Sequence, residues 1–325
     1  MKVAILGAGA WGTAFAALLT GCEHEVALVD SDPEVVRSLA ETGRNALYLP
    51  ELLLEGVEAF PVAESGALFE RADLSVVAVP SRSFAGAIAG LPGASPLLIL
   101  TKGLDPASGE RLSTLVEGRS VAVLSGPNFA EEIAAKLPAA AVVASKEIEL
   151  SVWLQAEIAC STFRVYVNTD LVGVELCGAA KNVIALAAGA VDGLGLGDNA
   201  KATLMTRGLA EMTRLGLACG ARADTFAGLA GMGDLIATCW HRHGRNRRAG
   251  ELLGRGVTPE QARDEIGTVE GMTTAPMLRE MARRLGVELP ITEAVCVLLG
   301  GGAVQDLAAE LMGRKPTGEW SAPAV

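Results

Sequence analysis

Residues 2–30 read KVAILGAGAWGTAFAALLTGCEHEVALVD, and the order of residue types in that stretch decides the fold. Lys2 to Leu6 is an apolar run of strand length, Gly7, Gly9 and Gly12 follow as GxGxxG, Thr13 to Leu19 supply a helix, and Val26 to Val29 form a second strand closed by Asp30. Gly7 permits a tight turn, Gly9 lets the backbone approach a pyrophosphate, and Gly12 allows close strand–helix packing. The helix points its N-terminal N–H groups at the anion. Asp30, 23 positions after the first glycine, suits ribose hydroxyls. Together they form a dinucleotide-binding fingerprint. The competing reading, a signal peptide or membrane anchor over residues 3–22, fits less well. Three glycines at dinucleotide spacing precede the polar Glu23, His24 and Glu25, and no basic cluster flanks the stretch.

At 325 residues the chain exceeds the size at which single cores stop growing, so two domains are expected. Half of the residues are apolar but only 4% are aromatic, so the interior relies on close packing by Ala, Gly, Val and Leu. The six cysteines, at 22, 160, 177, 219, 239 and 296, form no CxxC pair and have no histidine at zinc-finger spacing; they read as reduced, small core residues of a cytoplasmic protein, and no metal is expected. A net charge of −11 argues against nucleic-acid binding. It also means that an anionic substrate would need a locally basic site.

Apolar runs recur at Lys2–Leu6, Glu25–Val29, Leu74–Val79, Pro96–Leu100, Val121–Leu124, Ala140–Ala144 and Phe163–Val167, with helical or turn segments between them. This rhythm predicts an α/β fold: an N-terminal Rossmann-type, doubly wound, mostly parallel sheet. After Asn168 long helical segments take over, first Asp170–Ala190, where Gly173, Gly178, Ala179 and Ala180 admit a close neighbour, then Ala200–Cys219. The boundary is placed at residue 169, giving a dinucleotide-binding domain over 1–169 and an all-α C-terminal domain over 170–325. Gly300 to Gly302 are expected to bend or interrupt a late helix, and Gly313 to Val325 to be disordered.

Polar motifs fall where predicted strands end: Val79-Pro80-Ser81, Thr101-Lys102-Gly103 and Ser125-Gly126-Pro127-Asn128-Phe129-Ala130. In open parallel sheets the ligand crevice lies outside those ends. Ordinary turn chemistry explains Pro80 and Pro127 taken singly. Lys181, followed by Asn182, lies within an Ala/Gly-rich helix, where a lysine is costly unless partnered or functional. Burial and nearby cations would lower its pKa toward ~7 to 8, useful for proton transfer. The alternative is that it faces solvent. Asp234, in Gly231-Met232-Gly233-Asp234-Leu235, either orients the lysine ammonium, binds a substrate hydroxyl or caps a helix. His241, Arg242, His243, Arg245, Arg247 and Arg248 form the densest basic run, able to receive a phosphate dianion or simply to face water.

Taken together these residues resemble the bacterial-type NAD(P)-dependent glycerol-3-phosphate dehydrogenases. The likeness runs through GAGAWGT at 7–13, NALYLP at 45–50, VPS at 79–81, TKG at 101–103, SGPNFA at 125–130, AAKNVIALAAG at 179–189, TRGLAEMTRLG at 206–216, GMGDL at 231–235, GRNRR at 244–248 and VEG at 269–271. The resemblance implies Lys181 as the proton donor or acceptor, with Lys102 and Asp234 completing the catalytic set. It implies a glycerol phosphate site of Lys102, Gly126, Asn128, Lys181, Asp234, Gly244, Arg245 and Asn246. Ala10, Trp11, Lys102, Ala130, Arg245 and Glu270 would meet the cofactor beside the glycines, Asp30 and Ser31. The chain departs from the usual pattern at Asn128 and Gly244, where Ser or Thr and Ser are common. The segment before Glu270 is about one residue short, and Asp30-Ser31 replaces a position often followed by Arg or His. The last point favours NAD(H), with NADP(H) possible. The resemblance further implies a cytoplasmic homodimer that reduces dihydroxyacetone phosphate for phospholipid synthesis, without membrane insertion. A related dehydrogenase of hydroxy or sugar acids, or a non-catalytic dinucleotide sensor, are the alternatives.

Overall fold

The computed structural model describes residues 1–302. Eight strands, β1 (Lys2–Leu6), β2 (Glu25–Asp30), β3 (Val57–Pro61), β4 (Leu74–Val77), β5 (Leu97–Ile99), β6 (Val121–Ser125), β7 (Ala139–Ser145) and β8 (Phe163–Asn168), form one sheet in the order 3-2-1-4-5-6-7-8. Strands β1 to β6 pair in parallel, β7 runs antiparallel to β6, and β8 is parallel to β7. Residues 3–22 are therefore a central strand followed by the helix Ala10–Gly21, and not one continuous apolar span. The sequence reading missed β3. It is an edge strand, half-exposed and ending in Pro61, which an edge tolerates because its outer side needs no ladder bond.

The glycine turn packs as its spacing requires. Gly7 has φ +108°, and a side chain there would meet the Ala78 carbonyl carbon at 2.8 Å; one at Gly12 would meet the Gly7 oxygen at 1.9 Å. Buried Asn45 donates to the Ala8 carbonyl at 2.8 Å and the Thr13 hydroxyl at 2.9 Å, so the NALYLP segment fastens the turn from outside.

Asp170 ends the sheet region: its carboxylate accepts from the Gly173 N–H at 2.9 Å and caps the helix Leu171–Gly193, rather than being its first residue. That helix is long and apolar enough to cross a membrane, yet 89% of its most apolar window is buried inside the fold. The second predicted helix spans Gly197–Ala218. The helix Arg245–Gly254 lies in backbone contact with the first: a Cβ on Gly250 would sit 1.9 Å from the Leu186 oxygen, and one on Gly189 would sit 2.0 Å from the Arg247 oxygen. Neighbours also approach closely at Gly173 and Gly178, where a Cβ would meet Thr225 at 3.0 Å and Ser125 at 3.3 Å, but the backbone-to-backbone contact lies further along the helix. Cys177, Cys239 and Cys296 are buried, but Cys22, Cys160 and Cys219 are half-buried, so only half of the cysteines are core residues. The last described helix, Pro290–Leu299, stops at Gly300, with Gly301 at φ +88°. The expected disorder of Gly313 to Val325 lies outside the described residues.

Candidate active site

Because β1, β4, β5 and β6 run in one direction, the loops after them share one edge of the sheet. The loop after β5 carries Lys102, whose Nζ donates to the Gly126 carbonyl after β6 at 3.1 Å and to Oδ2 of Asp234 at 2.7 Å. Oδ1 of Asp234 accepts from Lys181 Nζ at 2.5 Å, and Lys181 also donates to the Thr238 hydroxyl at 2.9 Å. Lys181 is therefore turned inward, not toward solvent. Asp234 heads the helix Asp234–Trp240, but its carboxylate serves two lysines.

Lys181 and Asp234 are 6% and 1% exposed, so these charges are out of water. Burial lowers the Lys181 ammonium from its ordinary 10.5 to about 8; the Asp234 carboxylate opposes that shift and the Lys102 charge adds to it. Burial alone would raise the Asp234 carboxyl, but Lys102 and Lys181 together hold it below its ordinary value. The result is an amine that changes protonation near physiological pH, held in a fixed place.

The basic run divides by partner. Arg247 is spent on Asp192, at 2.6 Å, and on Glu251, at 3.3 Å; Arg248 faces Glu265 at 3.7 Å. Arg245, the first residue of its helix, is exposed and has no side-chain partner among the described residues. Gly244 is its N-cap. Asn246 donates to the Asn182 side-chain oxygen at 3.0 Å and accepts the Gly271 N–H at 2.8 Å, tying together the helices that carry Lys181, Arg245 and Glu270. The Asn128 amide lies 3.1 and 3.0 Å from the Pro127 and Ala140 carbonyls, and the orientation that satisfies it directs its nitrogen to both, across its own loop and β7. It braces the Gly126 turn.

On the dinucleotide side, Gly9 is the N-cap of Ala10–Gly21, and a Cβ there would meet nothing within 4 Å. The first helical hydrogen bond is from Thr13 N to Gly9 O at 2.9 Å, so the N–H groups of Ala10, Trp11 and Gly12 point outward from the helix end. Asp30 accepts from the Ala8 N–H at 2.6 Å and the Asp32 N–H at 2.9 Å, while Ser31 is exposed. This glycine-lined helix start with an acid beside it fits a dinucleotide. Ala130 starts a short helix after the Gly126 loop. Glu270 reaches across to the loop after β4, accepting from the Ser81 hydroxyl at 2.7 Å and its N–H at 3.4 Å.

Sequence reasoning overlooked Thr238, and named Ser81, in the Val79-Pro80-Ser81 loop, and Asn182 without giving either a contact. Thr238 was within reach: it lies one turn after Asp234, on the same helix face, and its hydroxyl donates to the Asp234 carbonyl at 2.6 Å. The pairing of Ser81 with Glu270 had no such signal, because the two are 189 positions apart.

A doubly wound sheet whose carboxyl edge brings Lys102 against Asp234 and Lys181 of the helical region defines a dinucleotide-dependent dehydrogenase. Comparison with known proteins narrows that class. Residues 2–151 match the family described as NAD-dependent glycerol-3-phosphate dehydrogenase N-terminus, and residues 170–309 match its C-terminus. A glycerol-3-phosphate dehydrogenase [NAD(P)+] of Moorella thermoacetica is 47% identical, over 98% of this chain and 97% of that protein. The crystal structure of the glycerol-3-phosphate dehydrogenase of Coxiella burnetii superposes with a TM-score of 0.91 at 38% identity, covering 96% of this chain and 98% of the other. A ketopantoate reductase of Ralstonia eutropha, 18% identical with a TM-score of 0.61 over 95% of this chain and all of the other, shares the fold. The chain belongs to the NAD-dependent glycerol-3-phosphate dehydrogenase family.

Proposed function

We propose that this chain interconverts dihydroxyacetone phosphate and sn-glycerol 3-phosphate with a nicotinamide cofactor. The observation that carries the reading is the Lys102–Asp234–Lys181 cluster, with the unpartnered Arg245 nearby on a helix packed against that of Lys181. When bound, the nicotinamide accepts or supplies the hydride. Lys181 delivers a proton to the C2 oxygen in reduction and, as the neutral amine, takes it back in oxidation. Lys102 adds positive charge beside that oxygen, and Asp234 holds both ammonium groups in place without reorganisation. Arg245 receives the phosphate through its planar fork, with Gly244 and Asn246 beside it and the Gly126–Asn128 turn opposite.

The outward N–H groups of Ala10, Trp11 and Gly12 hold the pyrophosphate, and Asp30 takes a ribose hydroxyl with its free lone pairs. Ala130 and Glu270 border the cofactor. Asp30 repels a 2′-phosphate and Ser31 brings no cation, so NAD(H) is preferred over NADP(H). The chain divides near residue 169 into a dinucleotide-binding unit and a helical substrate-binding unit, works as a cytoplasmic homodimer, and supplies glycerol phosphate for phospholipids. The test is cofactor oxidation with NADH and with NADPH against a panel of dihydroxyacetone phosphate, dihydroxyacetone, ketopantoate and a keto sugar acid. Turnover confined to dihydroxyacetone phosphate, with a higher kcat/KM for NADH, is expected; turnover of a carboxylate substrate instead overturns the reading.

A further inference from the structure

The His241 ring stacks on Phe129, with centroids 4.1 Å apart and planes 22° from parallel. The two residues belong to opposite halves of the site. Phe129 sits between Asn128 and Ala130 in the turn whose Gly126 carbonyl accepts from Lys102. His241 caps the end of the helix that Asp234 begins, and its carbonyl accepts the Gly244 N–H at 3.1 Å, closing a tight turn directly before Arg245. That turn has no slack: a Cβ on Gly244 would meet the His241 oxygen at 3.2 Å. The helix ends on either side of the loop are fastened within the helical half, through Lys201 over the Trp240 ring at 4.9 Å and through Arg247 on Asp192.

We infer that His241 is a positioning residue, whose ring, seated on Phe129, sets the distance between the Arg245 loop and the Gly126–Ala130 turn. The inference rests on the reading of Arg245 as the phosphate ligand. The required property is a flat ring, because the contact with Phe129 is face to face; the His243 ring meets that of His241 at a steep angle, with centroids 5.8 Å apart. Side-chain movement at position 241 passes through one hydrogen-bonded turn to Gly244 and then to Arg245. Loss of the ring therefore weakens binding of the phosphorylated substrate while leaving the Lys181 chemistry in place.

The experiment compares His241→Ala, His241→Phe and Phe129→Leu in steady-state kinetics with dihydroxyacetone phosphate and NADH, with thermal melting to check folding. His241→Ala and Phe129→Leu should each raise KM for dihydroxyacetone phosphate about three- to tenfold, with kcat within about twofold of the parent. His241→Phe should return KM to within about twofold. The parent KM in the alanine variant overturns the inference, and so does a phenylalanine variant as impaired as alanine. Should His241→Ala fail to fold, the phenylalanine and Phe129→Leu variants decide alone. Arg245→Ala is measured alongside. A raised KM there with none in His241→Ala overturns this inference only; an unchanged KM there overturns the phosphate assignment and, with it, the inference.

Discussion

Lys181 Nζ lies 2.5 Å from Oδ1 of Asp234, a residue 53 positions later, and both are sealed from water. The same carboxylate gives its other oxygen to Lys102. One buried negative charge therefore holds two lysine side chains, and burial brings the Lys181 ammonium down to about 8. That value is the observation behind the proton role proposed for Lys181.

Lys181→Met should leave NADH binding nearly intact and remove most turnover. Proton transfer by a positioned group contributes ~10²- to 10⁴-fold. Steady-state rates together with fluorescence titration of NADH check this; turnover within a few-fold of the parent would remove Lys181 from its role.

The direction of the reaction should set the sign of the pH dependence. Reduction needs protonated Lys181 and should slow as pH rises through about 8, whereas oxidation needs the neutral amine and should accelerate across the same value. Asp234→Asn removes the carboxylate that favours the charged lysine, so the inflection should move to lower pH. Profiles of kcat/KM in both directions decide it, and parallel slopes in the two directions would contradict the assignment.

Arg245→Ala should weaken dihydroxyacetone phosphate by at least about tenfold, since charge-assisted hydrogen bonds contribute about 1.5–3 kcal/mol each. Arg245→Lys should recover only part, because the fork is lost. Unphosphorylated dihydroxyacetone should be a poor substrate for both variants and parent. If kcat/KM for the two substrates falls by the same factor, Arg245 does not hold the phosphate.

Glu211 gives a stability prediction away from the chemistry. It accepts the Ile291 N–H at 2.6 Å and the Thr292 N–H at 3.3 Å, at the start of the helix Pro290–Leu299. Burial raises its carboxyl from 4.5 to about 7, against the pull of those N–H groups and of Arg214. The folded state then binds the proton more tightly than the unfolded chain. The resulting stabilisation is complete below pH 4.5 and is lost as pH rises through about 7. Glu211→Gln should flatten that slope, and Glu211→Ala should cost ~1–3 kcal/mol by leaving buried N–H groups unpaired. Urea unfolding at several pH values reads both; an unchanged slope in the glutamine variant would refute the titration.

The glycine turn, the two flanking strands and the helix between them were legible because each depends on residues a few positions apart. Asn45 illustrates where that legibility stops. The NALYLP segment is recognisable as a motif, but nothing local says that Asn45 will bond to Ala8 and Thr13. β3 was missed for a related reason. An edge strand is buried on fewer sides, so its sequence carries less of the apolar signal that marked the inner strands.

What the sequence determined by itself was the sheet region, the helical region that follows, and the residue types available for chemistry at the strand ends. It also marked Lys181, since a lysine among Ala and Gly on a helix needs a partner. The tertiary structure alone decided which partner that is, by bringing together Lys102 and Asp234 from 132 positions apart. It likewise decided which arginines of the basic run are taken up: Arg247 meets Asp192 across two helices whose glycines allow backbone contact, whereas the side chains of Arg242 and Arg245 are left without a partner among the described residues. The physical reason is range. Spacing rules act over one or two turns of chain, whereas the pairing of buried charges depends on how whole helices pack, and packing is settled by every side chain on both faces at once.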